Sequence, residues 1–255
     1  MNNKVTEAAG DAKAAPDTKN PDAKNSVPPQ PSEELLRIRY RIRFAKTDLL
    51  RWISHRDLAR LWERLLRRAT LELSMTEGFH PKPRVGFPSA LALGIEGLDE
   101  VVEIDLAEEL SVEALLKRLD DDQQPGLNIL SVCRVPDGTP KARLLRSHYS
   151  VPIPEGFATA EIETAITEIS DVETLEVTRK NRTITVNAAS QIDQLKICDG
   201  HLIMVLSASE NADLKPTDLI SAMGLDSLLT AGSYVVRTRV ELEQTLGPEH
   251  CVLKE

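Results

Sequence analysis

Arginine alternates with apolar residues along LLRIRYRIRF at residues 35–44. Such period-two alternation predicts a β-strand with one buried face and one polar face. Arginine suits phosphate because its planar guanidinium donates two parallel hydrogen bonds and stays charged at any working pH. The pattern therefore predicts either a row of phosphate-binding groups or a row that pairs with acidic residues from the second half of the chain. The row consists of Arg37, Arg39, Arg41 and Arg43.

A second group of donors lies in the loop GFHPKPR, residues 78–84. Its prolines stiffen the backbone, and binding residues often lie on loops that a rigid scaffold positions. Phe79 suits stacking on a base, although an aromatic this close to a strand also suits a core anchor. Together with Lys46 and Arg51, the two groups form a candidate nucleic-acid-binding set. Its members are Arg37, Arg39, Arg41, Arg43, Lys46, Arg51, His80, Lys82 and Arg84.

Catalytic patterns are much weaker. Glu77 and His80 are the candidates for an acid or base in the loop. Ser54, His55 and Asp57 lie too close along one helix to face each other, so Ser54 and Asp57 predict a helix cap rather than a triad. The sequence has no phosphate-binding glycine loop, dinucleotide fingerprint, nucleophile elbow or iron–sulfur spacing. It predicts no cofactor and no metal site, and it leaves open whether any reaction is catalysed.

The charge of the chain is unevenly distributed. Residues 35–95 hold thirteen Arg and Lys against five Asp and Glu, a net charge of +8. Because the whole chain has a net charge of −9, the remaining residues together have a net charge of −17. Such asymmetry within one chain predicts that the basic segment binds a polyanion, while the acidic remainder keeps the molecule soluble.

The elements that must position these residues alternate between strands and helices. After the arginine strand we predict a helix from Ser54 to about Thr70, then strands at 85–95 and 101–106 joined by a turn at 96–99. A helix capped by Ser111 and a strand at 127–135 complete this half. The order β-α-β-β-α-β is that of the split βαβ, or ferredoxin-like, fold, in which the helices leave one sheet face open.

The second half repeats this order loosely. We predict a strand at 146–153, a helix at 158–169, hairpins around Asn181 and through 199–200, a helix near Pro216 and a closing strand at 234–243. The predicted fold class is therefore α+β, with two ferredoxin-like domains in tandem at 34–137 and 138–255. Residues 1–33 contain hardly any large apolar side chains, which predicts a disordered tail.

Other features bear on the compartment. The amino terminus has no apolar stretch typical of a secretory signal, and no run is long enough to span a bilayer. Cys133, Cys198 and Cys251 lie far apart and predict reduced thiols. Together these features predict a cytoplasmic protein without a membrane partner.

Seven short motifs resemble the radical SAM-associated (radical SAM-linked) domain family of unknown function, across roughly residues 36–240. They are RFAK (Arg43–Lys46), SHRDLAR (Ser54–Arg60), RRA (Arg67–Ala69), GFHPKPR (Gly78–Arg84), LALGIEG (Leu91–Gly97), and the weaker VTRK (Val177–Lys180) and KPTDLI (Lys215–Ile220). The chain departs from the family pattern at Met75–Glu77, where similar proteins more often have a serine–glutamine pair.

The resemblance implies a stand-alone accessory form, because the radical SAM module itself is missing. Similar proteins occur fused to, or encoded beside, B12-binding-type radical SAM proteins, and beside a ribonuclease of the E/G type and a large-subunit ribosomal protein. These associations imply work on RNA or the ribosome. The expected partners are RNA, such as tRNA or rRNA, and a separate radical SAM protein.

Three hypotheses for function follow. The preferred one is a non-catalytic RNA-binding or RNA-processing accessory module. The second is an RNA-modifying enzyme of pseudouridine-synthase-like ancestry, with Glu77 at a place comparable to the catalytic aspartate; this is an analogy of fold. The third is a protein-only adaptor for a radical SAM partner.

Overall fold

The computed structural model describes residues 36–122 and 124–254, so the predicted tail at 1–33 lies outside the described residues. The described residues belong to one compact unit. Within them a large mixed sheet packs with five helices, which confirms the α+β class. None of these helices is both long enough and apolar enough to cross a membrane.

The first half follows the predicted order. Its elements are β1 (Ile38–Lys46), a 3-10 turn (Asp48–Trp52), α1 (His55–Arg68), β2 (Val85–Gly86), β3 (Glu96–Leu106), α2 (Val112–Asp120) and β4 (Leu127–Arg134). Both predicted caps are confirmed, since the hydroxyl of Ser54 accepts from the Asp57 amide and that of Ser111 from the Ala114 amide. These bonds satisfy backbone donors that the first helical turn leaves free.

The second half is also close to the prediction. Its elements are β5 (Leu144–Pro152), α3 (Thr159–Ser170), β6 (Thr174–Arg179), β7 (Arg182–Asn187), β8 (Ile192–Cys198), β9 (His201–Ser207), α4 (Pro216–Ala222), α5 (Asp226–Thr230), β10 (Val236–Leu242) and β11 (Cys251–Leu253). Both hairpins turn where predicted: Lys180 and Asn181, like Asp199 and Gly200, have positive φ. Two-residue turns of this kind match the twist of the flanking strands.

Two predictions about segment 85–99 are wrong. Only Val85 and Gly86 form a strand, and residues 87–95 are irregular, because Leu91 and Ile95 pack into the core of the second half instead of pairing in a sheet. The predicted turn at 96–99 is part of β3, which extends to pair in parallel with β10. The short elements α5 and β11 were not predicted.

The main sheet joins the two halves edge to edge. Its strand order is β11-β4-β1-β3-β10-β5-β9-β8, with β2 paired to β3, while β6 and β7 form a separate hairpin. The contact between β3 and β10 is parallel and short, whereas the other pairs are antiparallel. The division into domains at residue 137 stays a prediction.

Separate apolar cores support the two halves. The predicted stripe of α1 packs on the apolar face of β1, where Tyr40, Ile42 and Phe44 are fully buried. Trp62 meets Phe44 edge-to-face, with ring centroids 5.0 Å apart. This packing fixes the register of β1, because a slip of one residue would bring its arginines into the core.

The cysteine prediction is partly wrong. Cys133 on β4 stands directly opposite Cys251 on β11, and the two form a disulfide. The pairing could not be foreseen because it depends on β11, a three-residue strand that pairs with the distant β4. Cys198 is free and exposed. Since disulfides are rare in reducing compartments, the cysteines no longer support a cytoplasmic location.

Candidate functional site

Arg37, which directly precedes β1, and the three arginines of β1 do project from one face, but that face is neither open nor unpaired. Arg37 and Arg39 pair with Asp105, Arg41 with Glu103 and Arg43 with Asp99, at 2.6–3.4 Å. Backbone segments also cross this face, since Arg39 donates to the carbonyl of Thr139 and Arg41 to that of Gln244. The expectation of an uncovered face is wrong.

The carboxylates that neutralise the arginines also correct the alternative expectation, which was that the arginines pair with acidic residues of the second half. They come from β3 in the same half of the chain, not from the acidic second half. The antiparallel register sets Arg39 opposite Asp105 and Arg41 opposite Glu103. Opposite charges at facing positions stabilise a strand pair. The alternation of Glu103 and Asp105 in VVEIDL was the available indication, but the register decides which residues meet.

Cations nevertheless outnumber carboxylates at one end of this face. A shallow cavity of about 200 Å³ lies between β1 and the segment around β2. Its charged lining consists of Arg37, Arg39, Arg84, Lys141, Glu103 and Asp105. Four cations against two carboxylates leave a local surplus of two positive charges. Arg37 keeps 41% of its side chain exposed, so part of this surplus is open to solvent.

A hairpin-like projection stands beside this cavity. The Thr76 amide donates to the carbonyl of Lys82 at 2.8 Å, and the Lys82 amide donates back to the Thr76 hydroxyl at 3.0 Å. These bonds close the loop and carry residues 77–81 outward. We call residues 77–82 the loop tip.

The loop tip presents an aromatic ring and cations together. Phe79 is fully exposed, which excludes the core-anchor alternative, and His80 and Lys82 are exposed beside it. Arg84 turns back and donates to the carbonyl of Met75 at 3.0 Å. Glu77 is exposed too, with no described neighbour that would hold it as an acid or base. The catalytic role of Glu77 or His80 stays a prediction.

Arg51 occupies a different surface. Its guanidinium lies 4.7 Å from the ring centroid of Trp52 and 4.3 Å from that of Tyr234. Cations are attracted to the negative faces of such rings. Trp52 stays more than half exposed, and Leu49 and Leu93 are also exposed. Sequence reasoning selected Arg51 but missed this aromatic and aliphatic surface, because Tyr234 comes from the distant segment that precedes β10.

Lys46 lies in the interior, which corrects its place among surface-binding residues. Its side chain is fully buried, and its ammonium donates to the carbonyl of Ile53 at 3.3 Å. Burial lowers the pKa of Lys46, while Glu100 opposes this effect and Arg237 adds to it. The ammonium of Lys46 therefore interacts with groups in the interior and not with a ligand at the surface.

Glu100 and Arg237 form the central ion pair of this interior cluster, and sequence reasoning did not find it. Arg237 Nε donates to Glu100 Oε1 at 2.7 Å, and a second guanidinium nitrogen contacts Oε2. Burial disfavours the charged form of Arg237, but Glu100 and Tyr149 together outweigh this effect and raise its pKa. Gly97 leaves space for Glu100, because a Cβ there would lie 2.5 Å from Glu100 Cγ. This explains the second glycine of LALGIEG.

His55 lies beside the same cluster. Burial lowers its pKa, and the nearby charges of Arg237 and Lys46 lower it further. Its Nδ1 is buried without a hydrogen-bond partner among the described residues, and its ring meets Phe87 edge-to-face. The described residues contain no group of three His, Cys, Asp or Glu able to hold a metal ion.

Comparison with protein families gives a match over most of the chain. The family described as an uncharacterized protein conserved in bacteria, DUF2344, matches residues 39–216. The chain belongs to the DUF2344 family. The matched DUF2344 region includes β1 from Arg39 onward, the loop tip and Glu100, whereas Arg237 lies beyond it. A search of curated proteins found no match. The description of DUF2344 names no activity or partner, so the radical SAM association stays a prediction.

Proposed function

We propose that this DUF2344 protein is a non-catalytic RNA-binding module that works as an accessory to a radical SAM partner. The observation that carries the RNA proposal is the fully exposed ring of Phe79 on a loop tip beside a cavity with surplus positive charge. The radical SAM partner follows from the motif resemblance.

Phosphate recognition would use the cavity of Arg37, Arg39, Arg84 and Lys141. Arg37 and Arg39 share the carboxylate of Asp105, and Glu103 pairs with Arg41 outside the lining. Arg84 and Lys141 have no carboxylate partner among the described residues, and these two charges match those of successive backbone phosphates. Arg37 and the exposed Lys141 are the accessible members. Arginine and lysine at such a surface bind phosphate with a strength that falls as salt rises, because binding releases counterions.

Base recognition would use Phe79. Single-stranded RNA exposes bases that stack on aromatic side chains, and any base has the planar face that this requires. His80 and Lys82 lie beside Phe79 and add donors. The combination favours a single-stranded loop or end of an RNA over a duplex.

We also propose that the scaffold consists of two ferredoxin-like units. The strand neighbours β4-β1-β3-β2 and β10-β5-β9-β8 support this, since each set repeats the spatial order of a split βαβ fold, with β6 and β7 as an insertion. The two units would then join through β3 and β10.

Titration of fluorescein-labelled oligouridine and of total tRNA with the full chain tests RNA binding. We expect affinity to fall steeply between about 50 and 200 mM salt. Phe79→Ala should weaken oligouridine binding about tenfold or more, the effect of losing one stacked base. Leu49→Ala, another exposed apolar residue outside the loop tip, is the matched control and should leave affinity unchanged. No binding, or binding indifferent to both salt and Phe79, would remove the proposal.

The adaptor hypothesis has its own supporting observation, the exposed surface of Leu49, Trp52 and Leu93. A radical SAM protein encoded beside this chain should be retained by the purified protein after nuclease treatment if that surface binds it. Trp52→Ser should then abolish retention, whereas Phe79→Ala should not. Retention that needs RNA and survives Trp52→Ser would favour the RNA-binding role alone.

A further inference from the structure

A second cavity lies apart from the loop tip, between segment 88–95 and the second half of the chain. Its volume is about 430 Å³, within the range of small-molecule sites. Strands β5 and β9 and the start of α4 form the other wall. The lining is apolar over much of its surface, through Leu91, Ile95, Leu144, Leu206 and Leu214.

One polar side chain in this lining has no partner. Ser147 on β5 keeps only 3% of its surface exposed, and its hydroxyl makes no hydrogen bond within the described residues. Leaving a buried hydroxyl unbonded costs stability, so native structures rarely retain one without a ligand or water beside it. A ligand in the cavity that hydrogen-bonds to the Ser147 hydroxyl would therefore remove this cost.

Arg237 lines the same cavity while only 2% of it is exposed. Besides pairing with Glu100, its Nη1 donates to Ser89 Oγ at 2.8 Å, and Ser89 also lines the cavity. Tyr149 lines the cavity as well. Buried donors therefore contribute to a lining that is otherwise partly apolar and partly polar.

The buried charges around Arg237 are balanced only in part. Arg237 lines the cavity and Lys46 lies behind it, and the two share the carboxylate of Glu100, while burial and Arg237 both lower the pKa of Lys46. When Lys46 is protonated, one positive charge is left in a region where unbalanced charge is expensive. An anionic group in the cavity would offset it. A single carboxylate matches a surplus of one charge better than a phosphate dianion does.

We propose that this cavity binds a small organic carboxylate, with the carboxylate held by Ser147 and Arg237 and an apolar body packed against Leu91, Ile95 and Leu206. The mouth of the cavity, where Lys215 and Asp213 lie, gives the ligand its entry. Lys215 begins the KPTDLI motif, which the RNA-binding surface does not use. The carboxylate site is distinct from the loop tip, so either proposal can fail without the other.

Calorimetric titration of the full chain with matched acids and alcohols tests this site. The pairs are phenylpropanoate and phenylpropanol, indoleacetate and indole-ethanol, and octanoate and octanol, which share an apolar body and differ in the charged group. At least one acid should bind about tenfold or more tightly than its alcohol, as expected of a charge-assisted hydrogen bond.

Ser147→Ala should remove much of that preference while leaving the alcohol's affinity unchanged, and it deletes only one buried oxygen. Leu91→Trp should fill the chamber and abolish binding of both members of a pair. Phe79→Ala, outside the cavity, is the control and should bind as the unaltered protein does. Alcohols that bind as tightly as acids, an acid preference that survives Ser147→Ala, or no binding in any pair would overturn the proposal.

Discussion

Two arginine–carboxylate pairs in this protein have the same chemistry and opposite surroundings. Arg237 and Glu100 keep 2% and 4% of their side chains exposed, whereas Arg37 keeps 41% in its pair with Asp105, of which 8% is exposed. The first pair lies where the two halves of the sheet meet, and the second at the edge of a cavity beside the loop tip. The comparison teaches that pairing alone does not make an arginine structural.

Exposure to solvent determines how strongly the two partners of each pair depend on each other. A buried pair has lost its hydration, so each partner depends on the other, and removing one leaves an uncompensated charge. A half-exposed pair is screened and gains little from its partner. Arg37 can therefore exchange Asp105 for a phosphate at small cost, while Arg237 has no such freedom.

The largest effect should follow from Glu100→Gln. This change leaves Lys46 and Arg237 as two buried cations without a carboxylate, and we expect a loss of about 3–5 kcal/mol in the free energy of unfolding. Urea denaturation followed by circular dichroism measures it. Glu77→Gln, the same change at an exposed position, should have almost no effect. A loss below about 1 kcal/mol would mean that solvent reaches the Glu100 cluster.

Arg41→Ala should have the next largest effect on stability. Arg41 is nearly buried and donates twice to Glu103, so its removal should cost about 2–3 kcal/mol. RNA affinity should stay within about twofold, because Arg41 is not accessible to a ligand. The same denaturation and titration experiments measure both. Weak RNA binding by a stable Arg41→Ala protein would contradict the distinction between buried arginines that stabilise the fold and exposed arginines that bind phosphate.

Arg37→Ala should show the reverse pattern. Its loss should cost less than about 1 kcal/mol of stability, as is usual for an exposed ion pair. It should weaken RNA binding on all sequences and reduce the slope of affinity against salt by about one. Titrations at several salt concentrations give this slope. An unchanged slope would exclude Arg37 from phosphate contact.

The smallest effect concerns pH. The pKa of His55 lies below its ordinary value of 6.5 because of burial first and the charges of Arg237 and Lys46 second. The unfolded chain therefore binds a proton at higher pH than the folded one, so stability falls as pH drops from 6.5 through the folded pKa. His55→Gln should reduce this acid-induced loss relative to the unaltered protein. Parallel pH profiles of the midpoint of urea unfolding measure it; identical profiles would contradict the assignment.

Part of the candidate site followed from local patterns. The alternation in β1 predicted correctly that the arginines share one face, since side chains on a strand alternate by geometry. The glycine and prolines of the loop predicted irregular backbone at 78–84, and Ser54 predicted the helix start. The loop tip was therefore accessible from the sequence, although the exposure of Phe79 was left open between two alternatives.

The remaining features depend on residues that are far apart in the chain. The pairing of β1 with β3 set the partners of the arginines, and the parallel contact of β3 with β10 brought Arg237 to Glu100 across 137 positions. Segment 87–95 looked like a strand because its apolar residues are dense, but they fill the core of the second half instead. Similarly, β11 brought Cys251 to Cys133.

The sequence by itself determined the α+β class, most helix and strand positions, both hairpin turns and the location of the basic segment. These follow from periodicity, capping and backbone preference, which act over a few residues. The tertiary structure alone decided which charged side chains are buried in ion pairs and which face solvent. That outcome depends on burial and strand register, and both are set by contacts between segments that no local pattern links.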